Sequence, residues 1–146
     1  MDYENLADEY LEIKSGLRKL NMDFEFEHTL RGSGFVLFYL ANHGYFAFPK
    51  DLSEGLNTST ARIAGILKRL ESRGLIERRT DHADSRKILV ALTDDGIAES
   101  NRIYAQMRKN IETVFELLGP EDSLEYVRIT RKLLDSLVSS DTNVRR

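Results

Sequence analysis

The chain has 146 residues, 41% of them hydrophobic and 31% charged, which suits one domain with a buried core and excludes a disordered chain. It contains no cysteine, so disulfides, thiolate metal sites, a cysteine nucleophile and thiol redox sensing are excluded. The formal charge of −3 is unevenly spread: residues 58–88 hold eight basic against four acidic side chains, a local +4, which leaves −7 for the rest.

Residues 3–20 read as an amphipathic helix, with Tyr3, Leu6, Ala7, Tyr10, Leu11, Lys14 and Leu17 at helical spacing. Residues 21–31 are weakly patterned; Phe24 and Phe26 alternate with Glu25 and Glu27, as in a loop that tucks its rings inward. After Gly32-Ser33-Gly34, the apolar run Phe35 to Ala41 suits a buried strand or a buried helix. Helix is favoured, because Asn42-His43-Gly44 has the form of a helix end. Tyr45 to Phe48 has short strand character, and Pro49 suits the first position of a helix through Leu56 with Asp51 in its first turn.

Asn57-Thr58-Ser59 breaks that helix and Ser59 is a natural N-cap for the next. From Thr60 to Arg73 the apolar positions Ile63, Ile66, Leu67 and Leu70 make one stripe, and Gly74 ends the helix. The two helices form a helix-turn-helix pattern. Two strand-like runs follow, Leu75 to Arg79 and Lys87 to Leu92, around a long charged tip. A helix-turn-helix with such a hairpin is a winged helix.

Thr93 caps a long helix of about 94–118, in which Ile97, Tyr104, Ile111 and Leu118 repeat every seven residues and Met107 and Val114 fill a second row. Ser100 interrupts that row. Gly119-Pro120 breaks the helix, and a last one, about 121–138, carries Leu124, Val127, Leu134 and Val138 on one row and Leu133 and Leu137 on another. The fold class is therefore mainly α with a small β-hairpin wing (α+β). A winged-helix lobe over 32–92 is flanked by dimerisation helices over 1–31 and 93–138, with 139–146 a frayed tail of the single 1–146 domain. The terminal stripes have no partner in so small a lobe, so they are expected to pack together and against a second copy.

The +4 segment suits a polyanion-binding surface, or merely an uneven solvated one. On the helix from 60 to 73, Arg62, Arg69 and Arg73 fall within about 20° of one line, with the apolar stripe read as lying on the opposite side. Such a row fits a major groove, where Arg, Ser and Thr reach base edges and phosphates, rather than surface pairing with Glu71. The Ser59 end adds backbone N–H groups. At the hairpin tip Arg86 suits a narrow minor groove, with Asp84 pairing with it or capping the turn; the alternative is a loop salt bridge of little worth. His82 and Lys87 flank this tip. The binding residues expected are Thr58, Ser59, Thr60, Ala61, Arg62, Arg69, His82, Arg86 and Lys87, on double-stranded DNA.

Leu52-Ser-Glu-Gly-Leu-Asn-Thr-Ser-Thr-Ala-Arg-Ile63, Leu70-Glu-Ser-Arg-Gly-Leu-Ile-Glu-Arg-Arg79, Asp84-Ser-Arg86 and Val90-Ala-Leu-Thr-Asp-Asp-Gly96 together resemble the MarR family of transcriptional regulators. The resemblance implies a winged-helix homodimer that represses from a pseudo-palindromic operator. Ser59, Thr60, Ala61 and Arg62 would open the recognition helix, and Arg86 would be the wing arginine. Gly65 departs from the polar or basic reader common there and shifts base reading onto Thr60 and Arg62. The resemblance also implies a small aromatic effector; the aromatic residues from Phe24 to Phe48 serve core packing first and such a pocket second.

No catalytic constellation stands out. Glu25-x-x-His28 is a single metal-like pair where a di-iron bundle needs more ligands; His43 suits a helix cap and His82 a wing contact. No Gly-rich phosphate loop is present, and no metal or cofactor is expected. A winged helix that binds protein rather than DNA would use the same fold. No apolar run approaches the roughly 20 residues of a membrane span, and the acidic start is unlike a secretory signal, so a soluble cytoplasmic protein without a membrane partner is expected.

Overall fold

The computed structural model describes residues 1–19 and 32–144, with side chains through Ser140. It divides into two compact units, Met1–Met107 and Arg108–Arg146. The readings that fell on Phe24, Phe26, Glu25 and His28 lie outside the described residues.

Helix α1 spans Tyr3–Lys19 and buries none of its residues. Helix α2, Ser33–Asn42, resolves the ambiguous apolar run as helix and buries Val36, Leu37 and Leu40. It ends on His43, whose backbone N–H donates to the Leu40 carbonyl. The His43 ring stacks on Tyr39, centroids 3.8 Å apart, with Nδ1 2.7 Å from the Tyr39 carbonyl oxygen. The helix-cap reading of this histidine therefore holds.

Strand β1 is only Phe46–Ala47. Helix α3, Pro49–Gly55, follows with Pro49 at its start, and Asp51 Oδ2 accepts from the Phe48 N–H at 3.4 Å. The turn to the next helix passes through Asn57 at φ 48°, a left-handed conformation that asparagine tolerates better than most residues. Helix α4, Thr60–Ser72, is capped by Ser59, whose hydroxyl accepts from the Arg62 N–H at 3.2 Å. Gly74 closes it at φ +70°.

Strands β2, Ile76–Thr80, and β3, Ile88–Leu92, form the hairpin, and β1 pairs on the free side of β3, giving an antiparallel sheet of order β1-β3-β2. Arg78 lies opposite Val90, and Val90 opposite Ala47, so the face holding Val90 and Ala47 turns inward onto the helices. The core joins Val36, Leu37, Leu40, Leu52, Ile63, Ile66, Leu67, Leu70, Ile76 and Val90, all nearly inaccessible. Burying each of the larger of these side chains is worth about 1.5–3 kcal/mol.

Helix α5 spans Asp94–Leu118. Its first half belongs to the lobe: Ile97 and Ile103 pack on the core. Ser100, read as a weak point of a dimer seam, is buried and donates to the Leu37 carbonyl at 3.4 Å. The buried hydroxyl thereby finds a partner within the lobe. The boundary expected at residue 92 therefore cuts through a packed face.

The second unit holds the end of α5 and helix α6, Pro120–Val144. Gly119 turns the chain at φ +80°. The Ser123 hydroxyl lies within hydrogen-bonding distance of the Gly119 and Phe115 carbonyls, at 2.6 and 3.0 Å, and the Phe115 and Tyr126 rings meet at 6.4 Å. The backbone expected to fray after Val138 stays helical to Val144. Ser139 and Ser140 donate to the carbonyls of Asp135 and Ser136 at 2.7 and 2.8 Å, so their polar side chains are satisfied within the helix.

Candidate nucleic-acid interface

The α3–α4 turn places Thr58, Ser59, Thr60, Ala61 and Arg62 together at the start of α4. Thr58 is half-buried and its N–H donates to the Ser53 carbonyl at 3.0 Å, whereas Ser59 to Arg62 are exposed. Ser59 is committed to its cap, which orients the first turn and leaves the hydroxyl as the acceptor of the Arg62 N–H.

The arginine row needs correction in two ways. At about 100° per residue, Arg62 and Arg69 stand about a quarter turn from the centre of the buried stripe, not opposite it. The line opposite carries Ala61, Gly65 and Lys68, all exposed. The outermost surface of α4 is thus low, with Lys68 as its one long side chain and Arg62 and Arg69 along one flank. Arg62 and Arg69 have no ion pair among the described residues. Arg73 is drawn aside, its Nη2 3.6 Å from Glu99 Oε1. Glu71 pairs with Arg78 of β2 at 3.3 Å rather than with the row.

A Cβ built on Gly65 meets nothing within 4 Å. Replacing it by alanine should therefore stabilise the protein by roughly 0.5–1 kcal/mol through helix propensity, seen as a higher urea midpoint; an unchanged or lower midpoint would show that the space is not open.

At the wing, both alternatives for Asp84 are realised. Its Oδ1 accepts the Arg86 N–H at 3.0 Å and lies 3.6 Å from the Arg86 Nε. The Lys87 N–H donates to the Asp84 carbonyl and the Asp81 N–H to the Lys87 carbonyl, both at 2.9 Å. This knot presents the Arg86 side chain at 93% exposure. Lys87 Nζ sits 5.9 Å above the Phe48 ring, which ties the wing to the segment before α3. His82 is exposed on the tip. The structure thus groups the expected residues into two sets, the turn before α4 with that helix's exposed side, and the wing tip. Lys68 belongs with the first set; it was legible as part of the +4 segment but not as an outward residue.

Besides the shared core, Thr93 helps fix the two sets to the rest of the lobe. Thr93 Oγ1 donates to the Gly74 carbonyl at 2.6 Å and accepts from the Gly96 N–H at 3.0 Å. The Thr93 N–H donates to the Leu75 carbonyl at 3.1 Å. One residue therefore caps α5 and anchors the turn between α4 and the wing.

A helix-turn-helix whose second helix leads into a basic-tipped hairpin defines a winged-helix protein. Residues 33–87 match the family model described as MarR family. YfiV of Bacillus subtilis, an uncharacterized HTH-type transcriptional regulator, is 31% identical over 87 residues, covering 60% of this chain and 54% of YfiV; the chain thus matches about half of that relative's length. The crystal structure of YusO from B. subtilis superposes with a TM-score of 0.72 at 22% identity, over 92% of this chain and 98% of YusO. MepR of Staphylococcus aureus bound to an oligodeoxyribonucleotide gives 0.59 at 23% identity, over 90% and 97% of the two chains; MepR has also been solved bound to ethidium bromide. Over residues 33–87 the chain is thus similar to the MarR family, and its fold is that of winged-helix regulators. The curated relatives it matches are named as transcriptional regulators. Among the described residues no helix is long and apolar enough to cross a membrane.

Proposed function

We propose that the protein is a homodimeric, ligand-responsive repressor that binds a pseudo-palindromic operator in cytoplasmic DNA. The observation that carries the reading is the pairing of a low, cation-flanked face on α4 with a single arginine held out on the wing. The first is suited to a major groove, the second to the strong negative potential of a narrow minor groove. Thr60, Ala61 and Arg62 reach base edges, while Ser59, Arg69, Lys87 and His82 serve the phosphates. MepR, of the same fold, has been solved on an oligodeoxyribonucleotide, which supports the same use here.

The homodimer follows from the exposed apolar stripes. Leu6, Tyr10, Leu11 and Ile13 on α1 are each more than half exposed, as are Leu124, Leu134 and Val138 on α6. Surfaces of that kind mark a partner, and a second copy supplies the symmetry a palindrome requires. A small aromatic effector is the remaining element, with the partly exposed Phe35, Phe38 and Tyr39 of α2 as the rings available to it.

Duplex binding should weaken by orders of magnitude from low to moderate salt, because each phosphate contact releases counterions. A protein that retards no duplex even at low ionic strength would refute the reading. Arg86→Ala should weaken operator binding by roughly 1–3 kcal/mol; unchanged affinity in gel-shift titrations would remove Arg86 from the groove.

A further inference from the structure

Along α4, Arg73 continues the line of Arg62 and Arg69, yet it alone of the three faces a carboxylate. Glu99, on α5, is gripped first by Arg102, with Nε to Oε2 at 2.7 Å and Nη2 to Oε1 at 2.9 Å. Arg73 reaches the same carboxylate at 3.6 Å, too long for a hydrogen bond. The Arg102 hydrogen bond, and after it the Arg102 and Arg73 charges, outweigh desolvation and hold the Glu99 carboxyl below its usual range, so it is anionic at neutral pH. Glu99 is mostly covered, its side chain 19% exposed, whereas that of Arg73 is 57% exposed. The arrangement is a fixed anion with one tight cation and one loose cation, the loose one standing at the end of the proposed recognition helix.

Resting on the duplex-binding reading above, we propose that Glu99 is a positioning residue that withholds Arg73 from the phosphate backbone and so limits sequence-independent binding. A cation added to the row neutralises a phosphate on any duplex, whatever its sequence. Pairing Arg73 internally keeps that contribution out and leaves binding to Arg62, Arg69 and Arg86.

The test is the salt dependence of binding to a labelled duplex of arbitrary sequence, followed by fluorescence anisotropy, with urea unfolding of each variant as the folding control. Glu99→Gln should steepen the slope of log K against log salt by about 0.9, one extra phosphate contact, and tighten low-salt binding several-fold. The double variant E99Q/R73A should return to the wild-type slope, and Arg73→Ala alone should leave it unchanged. Three results would each overturn the inference. They are an unchanged slope in E99Q, a slope still steep in E99Q/R73A (which would assign the effect to freed Arg102), and a slope flattened by about 0.9 in R73A alone, meaning that Arg73 already holds a phosphate. R73A leaves the Glu99–Arg102 pair intact, so a flattened slope in that arm overturns the inference even if E99Q folds poorly. A wild-type protein with no duplex affinity would instead defeat the functional reading itself.

Discussion

Gly96→Ala is expected to lower the stability of the protein by about 3–5 kcal/mol, from overpacking together with loss of a helix cap. A Cβ at this position would stand 1.9 Å from the Leu75 carbonyl oxygen and 3.0 Å from both the Leu75 carbonyl carbon and Leu92 Cδ2. The carbonyl has nowhere to retreat, because it accepts the Thr93 N–H at 3.1 Å. Moving it breaks that bond and pulls Thr93 off Gly74, whose carbonyl it holds at 2.6 Å. The loss is a large share of the roughly 5–15 kcal/mol that holds a domain folded. Thermal unfolding followed by circular dichroism should show a midpoint lower by about 10–20 °C. A midpoint within a few degrees of the parent would mean that the α4–wing turn and the start of α5 are slack rather than locked.

Leu70→Ala should cost about 2–5 kcal/mol, the range for truncating a buried leucine in a packed core. Leu70 is wholly inaccessible, and its carbonyl also accepts the Leu75 N–H at 3.0 Å where α4 ends. The side chain therefore seats the outer helix on the lobe just before the turn. Truncation should shift the urea midpoint strongly while leaving the salt slope of duplex binding at the parent value at temperatures where the variant is folded, since no cation is touched. A small shift in midpoint would indicate that the core collapses around the void; an altered slope would indicate that α4 has moved.

The parts of the lobe that were legible in the sequence are those decided by local chemistry. Ile63, Ile66, Leu67 and Leu70 declare a helix by spacing, Ser59 declares its start, and two strand-like runs around a charged tip declare the hairpin. Asp84 and Arg86 lie two residues apart, so their pairing could be anticipated. What escaped the sequence depends on neighbours distant along the chain. Ser100 reads as a flaw in a heptad until the Leu37 carbonyl appears beside it. Arg73 reads as one more outward arginine until α5 brings Glu99 within 3.6 Å. The arginine row was misplaced for a different reason: three residues sharing a line does not set that line's angle to the stripe, and the burial of Ile66 and Leu67 brings the stripe to within a quarter turn of it. Gly96 was visible as part of a motif, but its cause, contact with the Leu75 backbone, was not.

The wing tip is organised by hydrogen bonds confined to residues 81–87, among them Arg86 N–H to Asp84 and Lys87 N–H to the Asp84 carbonyl. Lengthening such a loop by a residue adds little closure entropy and touches none of the hydrophobic core. It would nevertheless swing the arginine to a new height and bearing. Insertions and deletions between Thr80 and Ile88 thus give a lineage a route to a differently aimed wing that leaves foldability nearly untouched, whereas comparable changes around Thr93 would disturb the joint it forms with Gly74, Leu75 and Gly96.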